Sequence, residues 1–353
     1  MIDASTIKNI LIIKLKYLGD VLLMTPCLHA IKENLPLAKV TVVVNKGTES
    51  ILENHPCVDY VVAVDRRYFL AGCRAVIHLR KFRYDLVLDL TDGDRAAILS
   101  RLVSARHRVG YNAEQRWRGY CYDQIIDADQ SEMHTVDYYL QAIKEIGLDT
   151  VQHSPSLFCG PDDEKYADEL LFDHGIRYEE PLVMVHPGSR WEAKSWLADR
   201  FAAVSDAIQN SKSARIVFAG SETERMRVKK IQEKMLTSSV SVVGQTTVLQ
   251  LAALMKRCVL FIGNDNGAMH IAVAVGCPVV ALFGPTDPKI WGPWGTGHRV
   301  FFKNVDCRAC FTPGCRLGSQ SCMSQISVDE VLDAINSLLM IKNPNGRVTS
   351  CEN

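Results

Sequence analysis

Apolar positions along the chain fall into two kinds of run. Short β-branched stretches alternate with stretches whose apolar residues recur every three or four positions, the pattern of α/β units on parallel sheets. Residues 10–15 read as a buried first strand. Leu23, Cys27, Leu28, Ile31 and Leu35 then share one helix face, with Pro26 either in a tolerant first turn or at a kink. Strands are predicted at 40–44, 60–64, 85–90 and 108–111, and a helix at 138–146 closes this half. Pro155, Gly160 and Pro161 mark residues 149–161 as a linker. The pattern restarts with a strand at 182–186, a helix at 199–209 capped by Asp199, and strands at 215–219 and 240–243. Next come a helix to 257 capped by Thr246 or Thr247, a strand at 259–262, a helix to 275, a strand at 278–283 and a last helix at 328–340. The expected organisation is two doubly wound domains, 1–160 and 161–353, with the last helix a candidate to pack back on the first. Ligands are then expected at the carboxyl ends of strands, in a cleft between the halves.

Composition narrows the class. A length of 353 residues suits two domains, and 47% hydrophobic residues suffice for two cores, so disorder is excluded as the main state. Forty basic residues balance forty acidic ones, which argues against a dedicated nucleic-acid binder. The longest apolar run, 271–284, is broken by Gly276 and Pro278 and falls short of the ~20 residues of a membrane span. The first residues carry no secretory pattern, so a soluble, cytoplasmic protein is expected. Of twelve cysteines, eight are scattered and read as small buried hydrophobes. Only Cys307, Cys310, Cys315 and Cys322 cluster. Their first pair has metal-ligand spacing, but the rest are irregular and no histidine lies among them. A reduced cysteine-rich loop, a labile disulfide and a metal site all stay open, the first being preferred.

Four loops and a scatter of basic residues carry candidate chemistry. The first strand–helix turn, 14–20, has only Gly19 where a dinucleotide fingerprint needs three glycines, which disfavours an NAD-dependent oxidoreductase. It does place Asp20 at a strand's end, as a helix cap or as a general base for an acceptor hydroxyl. The stretch 261–270 follows a strand and opens a helix, so amides near Asn266 and Gly267 suit an anion, with His270 one turn on. The loop 186–196 offers Ser189, Arg190 and Lys194, and Lys194 can neutralise charge on a phosphate leaving group. Glu222 and Glu224 follow another strand, where an acid can bind a ribose diol or simply favour a helix N-terminus. In the first half, Lys16, Arg66, Arg80 and Arg116 lie near predicted loops and suit an anionic acceptor, although each singly reads as solvated surface.

Leu18-Gly19-Asp20, His186-Pro187-Gly188, Lys194-Ser195-Trp196, the run from Asn264 to His270 and the run from Ala281 to Asp287 together resemble the ADP-heptose:lipopolysaccharide heptosyltransferases. The likeness runs from residue 10 to 340, and the first-strand region and 84–92 are most similar to the heptosyltransferase III branch. It implies a GT-B fold of two facing Rossmann-like domains, the first binding acceptor and the second donor. It implies metal-independent, cofactor-free, inverting transfer of L-glycero-D-manno-heptose from ADP-heptose to a lipid-anchored inner-core sugar of lipopolysaccharide. Asp20 matches the catalytic aspartate and Lys194 the lysine at the donor phosphates. Asp265, Asn266, Gly267 and His270 match the donor loop, and Ser189 and Thr246 further donor contacts. Glu224, with Glu222 as alternative, matches the adenosine-ribose acid. Many relatives have Ser or Thr where this chain has Asn266. No nucleic acid is expected as partner, and peripheral contact with the inner membrane is. The rival readings are a GT-B enzyme with another nucleotide sugar or acceptor, and a non-catalytic nucleotide-sugar-binding protein.

Overall fold

The computed structural model describes residues 3, 6–65, 69–150, 153–211, 214–307 and 309–341, leaving aside the side chains of 69–73, 319, 340 and 341. The chain divides into two compact units, Met1–Phe158 and Cys159–Asn353. The division falls inside the stretch marked out by Pro155, Gly160 and Pro161.

The first unit holds β1 (Asn9–Lys14), β2 (Lys39–Asn45), β3 (Tyr60–Val64), β4 (Tyr84–Asp89), β5 (Ala105–Tyr111) and β6 (Gln124–Ile126). They form one sheet in the order β3-β2-β1-β4-β5-β6, with every pairing parallel. β1 is central: Ile10 is in register with Val40 on one side and Leu86 on the other. Both its faces are covered, which is why it reads as an unbroken apolar run rather than an alternation. Around the sheet lie α1 (Leu18–Leu23), α2 (Thr25–Asn34), α3 (Phe69–Leu79), α4 (Asp94–Leu102) and α5 (Thr135–Glu145). Pro26 is the second residue of α2, and the chain breaks at Met24 between α1 and α2. Proline is accepted there because the first-turn amides of a helix have no intrahelical acceptor.

The second unit holds β7 (Leu182–His186), β8 (Arg215–Phe218), β9 (Val240–Ser241), β10 (Cys258–Asn264), β11 (Val279–Phe283) and β12 (Arg299–Phe302), again all parallel, in the order β12-β11-β10-β7-β8-β9. Its helices are α6 (Pro161–Asp173), α7 (Ala198–Asn210), α8 (Arg225–Gln232), α9 (Val248–Lys256), α10 (Gly267–Ala274), α11 (Pro288–Trp291), α12 (Cys322–Gln325) and α13 (Val328–Ile341). The last of these sends Val331, Ile335 and Leu338 into the second unit's own core, beside Val280, Leu282 and Trp196. Thr247, not Thr246, caps α9 through a reciprocal pair with Gln250. Asp199 is not a cap: Leu197 holds that position, and Asp199 lies in the first turn, where its charge still suits the helix dipole.

Counted from its own first strand, each sheet has the same order, 3-2-1-4-5-6. The order reverses between β1 and β4 in one unit and between β7 and β10 in the other. At such a switch point the flanking loops part and leave a crevice at the carboxyl ends of the strands.

Candidate active site

In the first unit, Asp20 sits at the switch point as the third residue of α1. It is not the helix cap: that position is Tyr17, which makes no side-chain capping bond. Its carboxylate is held from below instead. Asp20 Oδ1 accepts a hydrogen bond from the Tyr139 hydroxyl at 3.2 Å and lies 3.9 Å from Lys14 Nζ. Lys14 ends β1 and is 1% exposed. Its ammonium donates to the Leu90 carbonyl at 2.7 Å and to the Tyr139 hydroxyl at 2.5 Å. Burial lowers Lys14 to about 8, against the pull of the Asp20 charge. Burial likewise lifts Tyr139 well above the usual phenol range, with the Asp20 charge adding to it. Across the switch point, Asp89 accepts from Tyr122 at 2.7 Å and from the Thr91 amide at 2.8 Å, and burial pushes it up to about 6.

Beside this cluster is a pocket of about 410 Å³ lined by the loops after β1, β4 and β5. Lys16 and Arg116, both expected at an acceptor site, line it together with Arg95 and Arg118. Arg118 is almost fully buried and pairs with Asp92 at 2.7 Å and Glu114 at 3.2 Å. Arg116 is tied to Asp94 and Glu114, each at 3.2 Å. Lys16 makes no ion pair with a carboxylate among the described residues, so its charge is available to a ligand. Arg80 follows α3 and precedes β4, at the amino edge of the sheet, and is not brought to this pocket. Arg66 lies outside the described residues.

In the second unit, the loops after β7 and β10 meet at the switch point. Lys194 Nζ lies 2.5 Å from Asp265 Oδ2, and the same oxygen accepts from the Thr286 hydroxyl at 2.5 Å. The ammonium has three donors, so this pair leaves hydrogen-bonding capacity for a second anion. Asn264 joins the two loops: its Nδ2 donates to the Pro187 carbonyl at 2.8 Å, and its Oδ1 accepts from the Trp196 amide at 3.1 Å. Asn266 does two tasks. Its Oδ1 caps α10 by accepting from the Met269 amide at 3.1 Å, and its Nδ2 donates to the Gly188 carbonyl at 2.7 Å while lying 3.1 Å from His186 Nδ1. Gly267 opens α10, and His270 is buried one turn in. The opening of that helix is electropositive and suits an anion.

The two glutamates separate clearly. Glu222 is bound to Arg225 through two contacts, at 2.6 and 2.5 Å, and is largely exposed. Glu224 turns inward: it lies 3.8 Å from His186, accepts from the Ser221 amide at 2.7 Å, and closes on Gly188. A Cβ at Gly188 would stand 1.4 Å from Glu224 Oε1, so any larger residue there would push the Glu224 carboxylate out of its place. Burial lowers His186, with Glu224 opposing, and the ring is therefore neutral at pH 7. The Ser189 hydroxyl is engaged within its own loop, with the Trp191 carbonyl at 2.8 Å and Ser195 at 2.7 Å. Thr246 is half-buried just before α9.

Cys307, Cys310 and Cys315 are exposed free thiols, and Cys322 is half-buried and free. Among the described residues no group of three or more His, Cys, Asp or Glu is arranged to hold a metal ion. No helix among them is long and apolar enough to cross a membrane. Three site residues escaped the sequence reading. Tyr139 looked like part of an apolar helix face, and its only signal was a polar-tipped pair, Tyr138-Tyr139, on that face. His186 and Thr286 end or follow strands, a position that marks candidates in this topology but does not name partners.

The sequence model of glycosyltransferase family 9 (heptosyltransferase) matches residues 74–320. Lipopolysaccharide heptosyltransferase 3 of Escherichia coli is 28% identical over 337 residues, 92% of this chain and 97% of that protein. A family 9 glycosyl transferase from Veillonella parvula superposes with a TM-score of 0.85 at 26% identity, over 94% of this chain and 97% of its own. E. coli heptosyltransferase WaaC, crystallised with ADP, superposes with a TM-score of 0.73 at 22% identity, over 94% and 99%. These likenesses identify the paired sheets as the GT-B fold. The chain belongs to glycosyltransferase family 9, the heptosyltransferases.

Proposed function

We propose that this enzyme transfers a heptosyl group, with inversion, from ADP-heptose to a sugar hydroxyl of the lipopolysaccharide core. The observation that carries the reading is the cluster Lys194–Asp265–Thr286 at the mouth of α10, next to the inward-turned Glu224. A cation with spare donors, a helix N-terminus and an acid set against glycine together suit a nucleoside diphosphate. The E. coli relative of known structure was crystallised with ADP, in line with this. Glu224 is the ribose acid in this reading and Glu222 is not, because Arg225 already occupies it. Ser189, Thr246, Asn266, Gly267 and His270 complete the donor contacts.

Asp20 is the general base. The acceptor oxygen attacks the anomeric carbon, its proton passes to Asp20, and the bond to the diphosphate breaks with its electron pair leaving on ADP. Lys194 offsets the charge that collects there. Lys16 and Arg116, in the 410 Å³ pocket, bind the acceptor. Since that acceptor is lipid-borne, the enzyme works at an anionic membrane surface. Failure to co-sediment with anionic vesicles at low salt would count against that part.

The test is donor turnover: ADP release from ADP-heptose with a panel of truncated cores, with Asp20→Asn as control. Acceptor-dependent release, lost in the variant, is expected. Thermal stabilisation by UDP or GDP but not by ADP would overturn the donor.

A further inference from the structure

We propose that Lys14 and Tyr139 are positioning residues that occupy one oxygen of Asp20 so that the other, Oδ2, is presented to the acceptor hydroxyl; this rests on Asp20 being the base. Three features of the first unit lead there. The hydrogen bonds run one way: Lys14 donates to Tyr139, and Tyr139 donates to Asp20 Oδ1. The carboxylate therefore receives rather than shares a proton from below. Oδ2 takes no hydrogen bond among the described residues. Finally, the two supports come from rigid places, the last residue of the central strand and the buried face of α5.

An ammonium at the end of an apolar strand is costly to bury, and nothing in the packing of β1 requires it. Its neighbours explain its presence only in part. Asp20 faces it from α1, Tyr139 from α5, Asp89 from β4, Cys27 from α2, and Lys16 from its own loop. Asp89 is already served by Tyr122 and Thr91, so the carboxylate that Lys14 complements is Asp20. Lys14 thus sets a positive charge 3.9 Å behind the carboxylate, and Tyr139 fixes its rotamer.

The experiment compares kcat and KM for wild type, Tyr139→Phe, Lys14→Arg and Lys14→Met, with Asp20→Asn and thermal melting as controls. Tyr139→Phe is expected to lose about tenfold or more in kcat while the KM for ADP-heptose stays unchanged, as for removal of an aligned hydrogen bond to the base. Lys14→Met is expected to lose kcat likewise, and Lys14→Arg, which keeps the charge and a donor, to retain most of it, again with the KM for ADP-heptose unchanged. A purely structural role would lower melting temperature and leave kcat of the folded protein in place. Wild-type kcat in folded Tyr139→Phe would overturn the proposal while leaving Asp20 as the base. If Lys14→Met does not fold, Tyr139→Phe and Lys14→Arg decide. A wild type that never turns over ADP-heptose defeats the functional reading, and this inference with it.

Discussion

The two units repeat one topology and fill its switch point with opposite chemistry. After its first strand, the first unit continues Lys14-Leu15-Lys16-Tyr17, and the second His186-Pro187-Gly188-Ser189. Each strand ends on a buried base, Lys14 or His186. Two residues further on, one unit carries a long cation and the other a glycine against which the Glu224 side chain closes. The first unit thus surrounds its crevice with side chains and aims a carboxylate. The second strips side chains away and leaves backbone and a helix end exposed to the crevice. The fold supplies the crevice; the residues in the turns decide its chemistry, which in the proposed reading is proton transfer on one side and anion binding on the other.

That contrast predicts different failures on the two sides. The largest is expected for Asp20→Asn: transfer falls about 10³-fold, the middle of the range for loss of a general base, while ADP affinity by calorimetry is unchanged. A variant with weakened ADP binding and residual transfer would erase the division of labour. On the other side, Lys194→Met leaves the nearly buried Asp265 without its counter-charge and is expected to cost about 3 kcal/mol of stability as well as ADP affinity. Adding Asp265→Asn should return most of the stability and none of the affinity, which chemical denaturation and calorimetry read separately.

The buried lysine gives a pH test of comparable size. Lys14 releases its proton at about 8 when folded and near 10.5 when unfolded. Between those values the unfolded chain binds more protons, so this group makes stability rise with pH, by roughly 3 kcal/mol in all. The wild type minus Lys14→Met difference should show that slope; a flat difference would mean that Lys14 is not buried as described. The smallest effect is expected for Gly188→Ala. The new methyl evicts Glu224 to solvent and removes its bond to Ser221, for about 1 kcal/mol, while nucleotide affinity drops further. Unaltered affinity would place the ribose elsewhere.

The strands were the legible part of this molecule. Buried parallel strands are contiguous β-branched runs: β7 has its predicted span, β11 differs by one residue at its start, and β1 and β2 differ by one residue at each end. Elements that bury little were silent. α6 puts only Ala167 and Leu171 in the core, and the edge strands β6 and β12 are three and four residues long. The loop motifs singled out Asp20, Lys194, Asp265, Asn266 and Glu224 as candidates by their place after strands, and the structure sets Lys194 against Asp265 and Asn266 at the start of α10. What no local pattern could show is which groups meet. Tyr139 reaches Lys14 across 125 positions of sequence, and Lys194 reaches Asp265 across 71. The family resemblance favours Glu224 over Glu222, but the contacts that separate the two, with Gly188 and Arg225, form only in three dimensions.

Asn266 also sets how this protein ages. It precedes Gly267, the pairing in which a backbone amide most readily attacks a side-chain amide and expels ammonia. Here both ends of the Asn266 side chain are held, by Met269 on one side and by Gly188 and His186 on the other, and Gly267 begins a helix. The folded chain is therefore protected from the attack, and the chain opened at the β7–β10 junction is not. Were the amide converted to a carboxylate, an oxygen would face the Gly188 carbonyl and the clip between the two loops would come undone. Deamidation at this one position, read by mass spectrometry, thus records how often that junction opens during storage.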